Sequence, residues 1–145
     1  MEIEALRKLH GDLWTAHHPC DGSPEWAHES RMLTDDEWEA IVEAIERLKL
    51  IVQPYNACFG FGIGITLAEQ PTVPGIEPLS VMSITQEHLA TKLGPDSYEA
   101  KHGGGHMRFD EAWDTFEPLF NTERNHQLMA YHKLDPVQER SYYVY

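Results

Sequence analysis

Cysteine, positive charge and long apolar runs are all scarce in this chain. Its 145 residues include two cysteines, Cys20 and Cys58, and no CxxC pair, which excludes the disulfide framework that stabilises small secreted domains. No window reaches the ~18 consecutive apolar residues of a membrane-spanning helix, and the first residues lack the apolar stretch of a signal peptide. We therefore expect a cytoplasmic protein that does not enter a membrane.

Basic residues are outnumbered by acidic ones. There are 11 Lys and Arg against 24 Asp and Glu, for a formal net charge of −13. Proteins that bind nucleic acid or anionic lipid use Lys and Arg to neutralise phosphate, so direct binding of either is disfavoured and a basic protein partner is favoured. The 41% of hydrophobic residues are enough for a core, and residues 1–145 are expected to form one acidic domain.

Hydrophobic periodicity predicts three helices. In three segments, apolar residues recur at the three- and four-residue steps of an amphipathic helix. The second segment begins with Thr34-Asp-Asp-Glu37, which has the form of a capping box, and Pro54 sets the latest point at which it can end. The three predicted helices are residues 2–14, 34–52 at the longest, and 110–120.

One segment has the strict two-residue alternation of a β-strand. In residues 59–67, large apolar side chains alternate with glycine or threonine. Because glycine weakens a strand, three of them on one face predict a close approach by a helix or another backbone, a bulge, or a flat surface that docks a neighbouring subunit. The three glycines are Gly60, Gly62 and Gly64.

The remaining elements define the expected fold class. Residues 79–84 form a second predicted strand, residues 85–93 a short helix, and residues 127–134 and 141–145 a C-terminal hairpin. The order is therefore two helices, two strands, two helices and two strands. This order favours an α+β domain, in which three to four helices pack on about four mainly antiparallel strands, over a doubly wound parallel sheet.

Acidic residues are concentrated on two predicted helices. Between Leu9 and Glu46 there are ten acidic residues and one basic residue, Arg31. Carboxylates recur along the outer face of the helix that follows Thr34, and a second row lies on the helix at 110–120. We call these rows the first and second acidic ridges. The first consists of Asp35, Asp36, Glu39, Glu43 and Glu46, and the second of Asp110, Asp114 and Glu117.

The acidic ridges predict a surface that binds a basic partner. Carboxylates in a row can take the place of nucleic-acid phosphates and accelerate association with a positively charged protein. The hypothesis is a noncatalytic binder, such as an inhibitor or immunity-type protein that covers a basic nucleic-acid-binding or catalytic surface. The alternative for the same residues is a solvated face that keeps the protein dispersed.

The nine histidines suggest a second function. One group combines imidazole with a thiolate and a carboxylate, a second consists of two imidazoles, and zinc takes all three kinds of ligand. Neither has HExxH spacing, and scattered polar histidines are the simpler interpretation. The alternative function is a metal-dependent hydrolase, in which zinc or another divalent transition metal activates a water molecule. The candidate ligands are His17, His18, Cys20, Asp21, His102 and His106.

Overall fold

An antiparallel sheet with strand order β1-β2-β3 is packed against helices. The computed structural model describes residues 1–15, 32–57, 60–68, 80–89 and 108–143. Among these residues there are four α-helices and three strands, which confirms an α+β fold with an antiparallel sheet; three of the roughly four expected strands lie in this part of the chain. The helices are α1 (Ile3–Thr15), α2 (Asp35–Arg47), α3 (Phe109–Phe120) and α4 (Glu123–Tyr131), the strands are β1 (Leu50–Ala57), β2 (Gly60–Leu67) and β3 (Ser80–Thr85), and short 3₁₀ turns lie at Gln86–His88 and Arg140–Tyr143.

Helix α2 begins at the predicted capping box and ends earlier than its limit. The Glu37 amide donates to Thr34 Oγ1 at 3.1 Å, and the Thr34 amide donates to Glu37 Oε1 at 3.0 Å, so two otherwise unpaired amides are satisfied. The helix stops at Arg47, and Lys49 takes a left-handed conformation with φ of 53°. The chain thereby turns into β1, a strand that the sequence pattern did not predict.

The predicted C-terminal hairpin is wrong. Residues 123–131 form α4, which begins at Thr122, whose hydroxyl accepts a hydrogen bond from the Asn125 amide at 3.1 Å. The aromatic segment beyond it includes the turn Arg140–Tyr143 instead of a strand. The only large side chain that this turn buries is Tyr143, whose pKa is raised by burial.

The core lies between one face of the sheet and the helices. Phe61 of β2 is fully buried at its centre, with five aromatic rings within 5.3–6.2 Å of its ring centroid. Such tilted and edge-on pairs add to the stabilisation from area burial. Around them pack apolar residues of α1, α2 and α3, among them Leu6, Leu9, Leu13, Ile41, Ile45, Phe116 and Phe120.

Side chains from helices occupy both outer edges of the sheet. At the β1 edge, the Val52 amide donates to Asn125 Oδ1 at 2.9 Å, and Asn125 Nδ2 donates to the Val52 carbonyl at 2.7 Å. At the β3 edge, the Ser83 amide donates to His10 Nδ1 at 3.0 Å, and Trp14 Nε1 donates to the Ser83 carbonyl at 2.9 Å. Because an unpaired edge invites another strand to add, these contacts block part of each outer edge of the sheet.

The glycine face of β2 lies under a tyrosine side chain. Tyr55 of β1 pairs with Gly62, and its hydroxyl crosses β2 to hydrogen-bond the Ser83 hydroxyl of β3. A Cβ atom at Gly62 would lie 3.2 Å from Tyr55 Cε1 and 2.7 Å from the Ile84 carbonyl oxygen. The close approach predicted for this face is therefore made by a side chain and a neighbouring strand within the same sheet.

Gly62→Ala and Gly64→Ala are expected to change stability in opposite directions. At Gly62 the added Cβ meets the Ile84 carbonyl, which the ladder holds in place, so the free energy of unfolding should fall by about 1–3 kcal/mol. At Gly64 the nearest atom to the added Cβ is 4.0 Å away, and loss of unfolded-state freedom should raise stability by about 0.5–1 kcal/mol. Urea unfolding of both variants measures the difference; equal effects would contradict the crowding at Gly62.

Candidate functional site

The first acidic ridge lies on the solvent-facing side of α2. All five of its carboxylates are exposed, whereas Ile41 and Ile45 on the opposite side are buried. The capping box starts the helix so that Asp35 and Asp36 fall in its first turn, where the helix dipole favours negative charge. The amphipathic pattern alone thus orients the ridge outward.

Glu43 is the one member of the first ridge whose charge is neutralised within the described part of the chain. Arg47 Nε donates to Glu43 Oε1 at 2.6 Å, and Arg47 Nη1 lies 3.0 Å from Glu2 Oε1. The hydrogen bond from Arg47 lowers the pKa of Glu43. The ion pair therefore stabilises the folded protein at neutral pH, and this stabilisation is lost as the pH falls through the lowered pKa. Arg47 therefore joins Glu43 of α2 to Glu2, just before α1.

Four carboxylates of the first ridge form no ion pair in the described part of the chain. Across residues 1–15, 32–57, 60–68, 80–89 and 108–143, no ion pair involves Asp35, Asp36, Glu39 or Glu46, whereas Glu43 is paired with Arg47. A row of exposed carboxylates without cations produces an outward negative field. We call these four residues the open carboxylates.

The second acidic ridge is largely paired within the chain. Arg140 forms an ion pair with Asp110 and places its guanidinium 5.9 Å from the ring centroid of Phe109. Trp113 Nε1 donates to Glu117 at 2.8 Å. Asp114 is exposed and has no ion pair among the described residues. Asp110 is thus ion-paired, Glu117 is hydrogen-bonded to a neutral indole, and Asp114 has neither kind of side-chain partner among the described residues.

The helices that carry the two ridges are neighbours. Trp38 of α2 and Phe116 of α3 approach to 5.9 Å between ring centroids, and both helices bury their apolar sides in the same core. Their outer faces therefore belong to one helical layer. Proximity of this kind could not be read from the sequence, because it depends on how the two helices pack together on the sheet.

None of the candidate metal ligands falls within the described residues. His17, His18, Cys20, Asp21, His102 and His106 all lie outside them, so the metal site stays a prediction. In the described ranges, no group of three or more His, Cys, Asp or Glu side chains is arranged to hold a metal ion. None of the helices in these ranges has the length and apolar character needed to cross a membrane.

Comparison of the chain with protein-family models, curated proteins and solved structures found no match.

Proposed function

We propose that this protein binds a basic macromolecular partner through the outer face of α2, as an inhibitor or immunity-type protein would cover a basic surface. The open carboxylates carry this proposal. They are exposed and form no ion pair within the described residues, whereas Glu43 and Asp110 are paired with arginines. A basic partner would supply a countercharge to these carboxylates, which raises both the affinity of the complex and the rate at which it forms.

The state of the sheet edges supports recognition through side chains. Extended partners often bind by adding a strand to an exposed edge. Here Asn125 occupies the Val52 edge groups, and His10 and Trp14 occupy those of Ser83. Pro54 lacks an amide donor altogether. A partner of this protein is therefore expected to contact the helical layer, where the charge lies.

Reversal of two open carboxylates tests the proposal. Immobilised wild-type protein would be used to capture basic proteins, and those that single-stranded DNA displaces from it would be kept. The affinity of each for the variant Glu39→Lys/Glu46→Lys would then be measured. We expect at least a tenfold loss of affinity, because like charges across an interface repel. Wild-type binding should also weaken as salt is added, since exposed charges are screened.

A matched variant separates local from overall charge. Asp135→Lys/Glu139→Lys changes the formal charge by the same amount, at exposed positions outside α2 and α3, and should bind nearly as the wild type does. Circular dichroism checks that both variants are folded. If the two variants lose affinity equally, net charge and not the α2 face governs binding, and the proposal fails.

A further inference from the structure

Two histidines fasten the free edge of β3. The Ser83 amide donates to His10 Nδ1 at 3.0 Å, and the Thr85 amide donates to His88 Nδ1 at 3.1 Å. Ser83 and Thr85 are alternate residues of the strand, so their amides point to the same side, away from β2. The two imidazoles thus accept from amides that a neighbouring strand would otherwise pair, and no such strand lies among the described residues.

The direction of these hydrogen bonds sets the protonation state of both rings. An amide can donate only to a ring nitrogen that has a lone pair. Each imidazole therefore carries its proton on Nε2, and a second proton on Nδ1 would set two N–H groups against each other. His88 is only 1% exposed, so its cation would also lose hydration. Protonation of either imidazole at Nδ1 is therefore incompatible with the hydrogen bond that its Nδ1 accepts.

Trp14 connects the two histidines. Its ring centroid lies 5.8 Å from that of His10 and 5.1 Å from that of His88, while its Nε1 donates to the Ser83 carbonyl. Helix α1, the turn Gln86–His88 and β3 thus meet at one indole. A displacement of either imidazole removes part of the packing that holds the other.

Few other titratable side chains lie on the described elements around His10 and His88. Strands β2 and β3 have no titratable side chain, β1 contributes Tyr55, and the turn contributes Glu87. The two acidic and two basic residues of α1 balance each other in charge. They are Glu4, Arg7, Lys8 and Asp12.

We propose that His10 and His88 form an acid-sensitive latch on the β3 edge. At neutral pH the latch holds α1 and the turn Gln86–His88 against the strand. When both imidazoles are protonated, their Nδ1 atoms stop accepting and the amides of Ser83 and Thr85 are released. Unfolded chains protonate histidine near pH 6.5. Below that pH the unfolded state therefore binds more protons than the latched folded state does, and the free energy of unfolding falls as the pH decreases.

The tautomers give a direct test in the wild-type protein. Histidine ¹⁵N chemical shifts distinguish an Nε2–H imidazole from an Nδ1–H imidazole, and His10→Asn and His88→Asn assign the two rings by loss of their signals. We expect the Nε2–H form for both at pH 7.5. The Nδ1–H form at either ring, or an imidazolium at that pH, would overturn the latch.

The pH dependence of unfolding gives a second test. Asparagine can present an amide oxygen near the position of Nδ1 but does not titrate, so His10→Asn/His88→Asn keeps a hydrogen-bond acceptor at each site. The test compares the pH dependence of unfolding, and the absolute stability of the variant does not enter it. Between pH 6.5 and 5, the unfolding equilibrium constant of the wild type should rise about 10- to 100-fold more per pH unit than that of the double variant, up to tenfold for each proton.

An exposed histidine supplies the control. His126→Asn changes a solvent-exposed ring of α4 and should leave the wild-type profile in place. Parallel profiles for the wild type and the double variant would overturn the proposal, because they would show that the two edge histidines take up no extra protons on unfolding.

Discussion

Phe61→Ala is expected to lower the free energy of unfolding by about 3–5 kcal/mol, because it removes the side chain at the centre of the core. Phe61 is fully buried, and its ring contacts aromatic residues from α3 and from the turn Arg140–Tyr143. Alanine would leave a cavity. The sheet and the three aromatic residues around it cannot all move inward to fill that cavity. Urea denaturation, followed by tryptophan fluorescence, measures the change.

Phe109→Ala is the matched comparison for this prediction. Phe109 is the first residue of α3 and contacts Phe61 at 5.4 Å between centroids, but it is only half-buried. Its loss should cost clearly less, since water can fill part of the space. If Phe109→Ala were as destabilising as Phe61→Ala, Phe61 would not be the centre of the core.

Asn125→Ala is expected to cost about 2–4 kcal/mol, although asparagine is not a hydrophobic residue. Its fully buried amide binds both edge groups of Val52, and Nδ2 also donates to the Phe120 carbonyl at 2.7 Å. Alanine would leave a buried amide and two carbonyls without these partners, and each unsatisfied buried group costs about 1–3 kcal/mol before relaxation. Thermal and urea unfolding measure the loss.

Asn121→Ala provides a control with the same chemical change. Asn121 is exposed, and its side chain accepts one hydrogen bond, from His126 at 2.7 Å. Its removal should change stability by less than about 1 kcal/mol, because water can replace the lost partner. Similar losses at the two positions would show that Asn125 does not act as the substitute for a strand at the β1 edge.

The two edges of the sheet are closed by different chemistry, with different consequences. Asn125 has no titratable group, so its hydrogen bonds to Val52 at the β1 edge do not depend on a side-chain protonation state. The β3 edge depends on imidazole lone pairs. Contacts of this kind hinder strand addition at these positions, which is why the proposed function uses the α2 face.

Segments with strong local signals could be predicted from the sequence. The capping box at Thr34 and Glu37 needs only residues three apart, and the alternation in β2 needs only its own side chains. The bounds of α1, α3 and β3 were likewise predicted to within a few residues. The fold class followed from their order along the chain.

Two elements were missed because their local pattern is misleading. In β1, Pro54 was interpreted only as the end of a helix, yet at the outer edge of a sheet a proline costs no ladder hydrogen bond. In α4, the residue most completely buried is the polar Asn125, so the segment lacks a clear apolar stripe. Its stability comes from a strand 73 residues away along the chain.

The sequence by itself determined that the chain is acidic, that its carboxylates line the outer faces of two helices, and that a glycine-faced strand lies in an antiparallel sheet. Only the tertiary structure decided which of the described carboxylates form ion pairs, because Arg47 reaches Glu43 along one helix while Arg140 reaches Asp110 from 30 residues away. It also decided what closes the edges of the sheet. Periodicity reports which side of an element faces the core, whereas ion pairs and buried hydrogen bonds depend on distances between elements far apart in sequence.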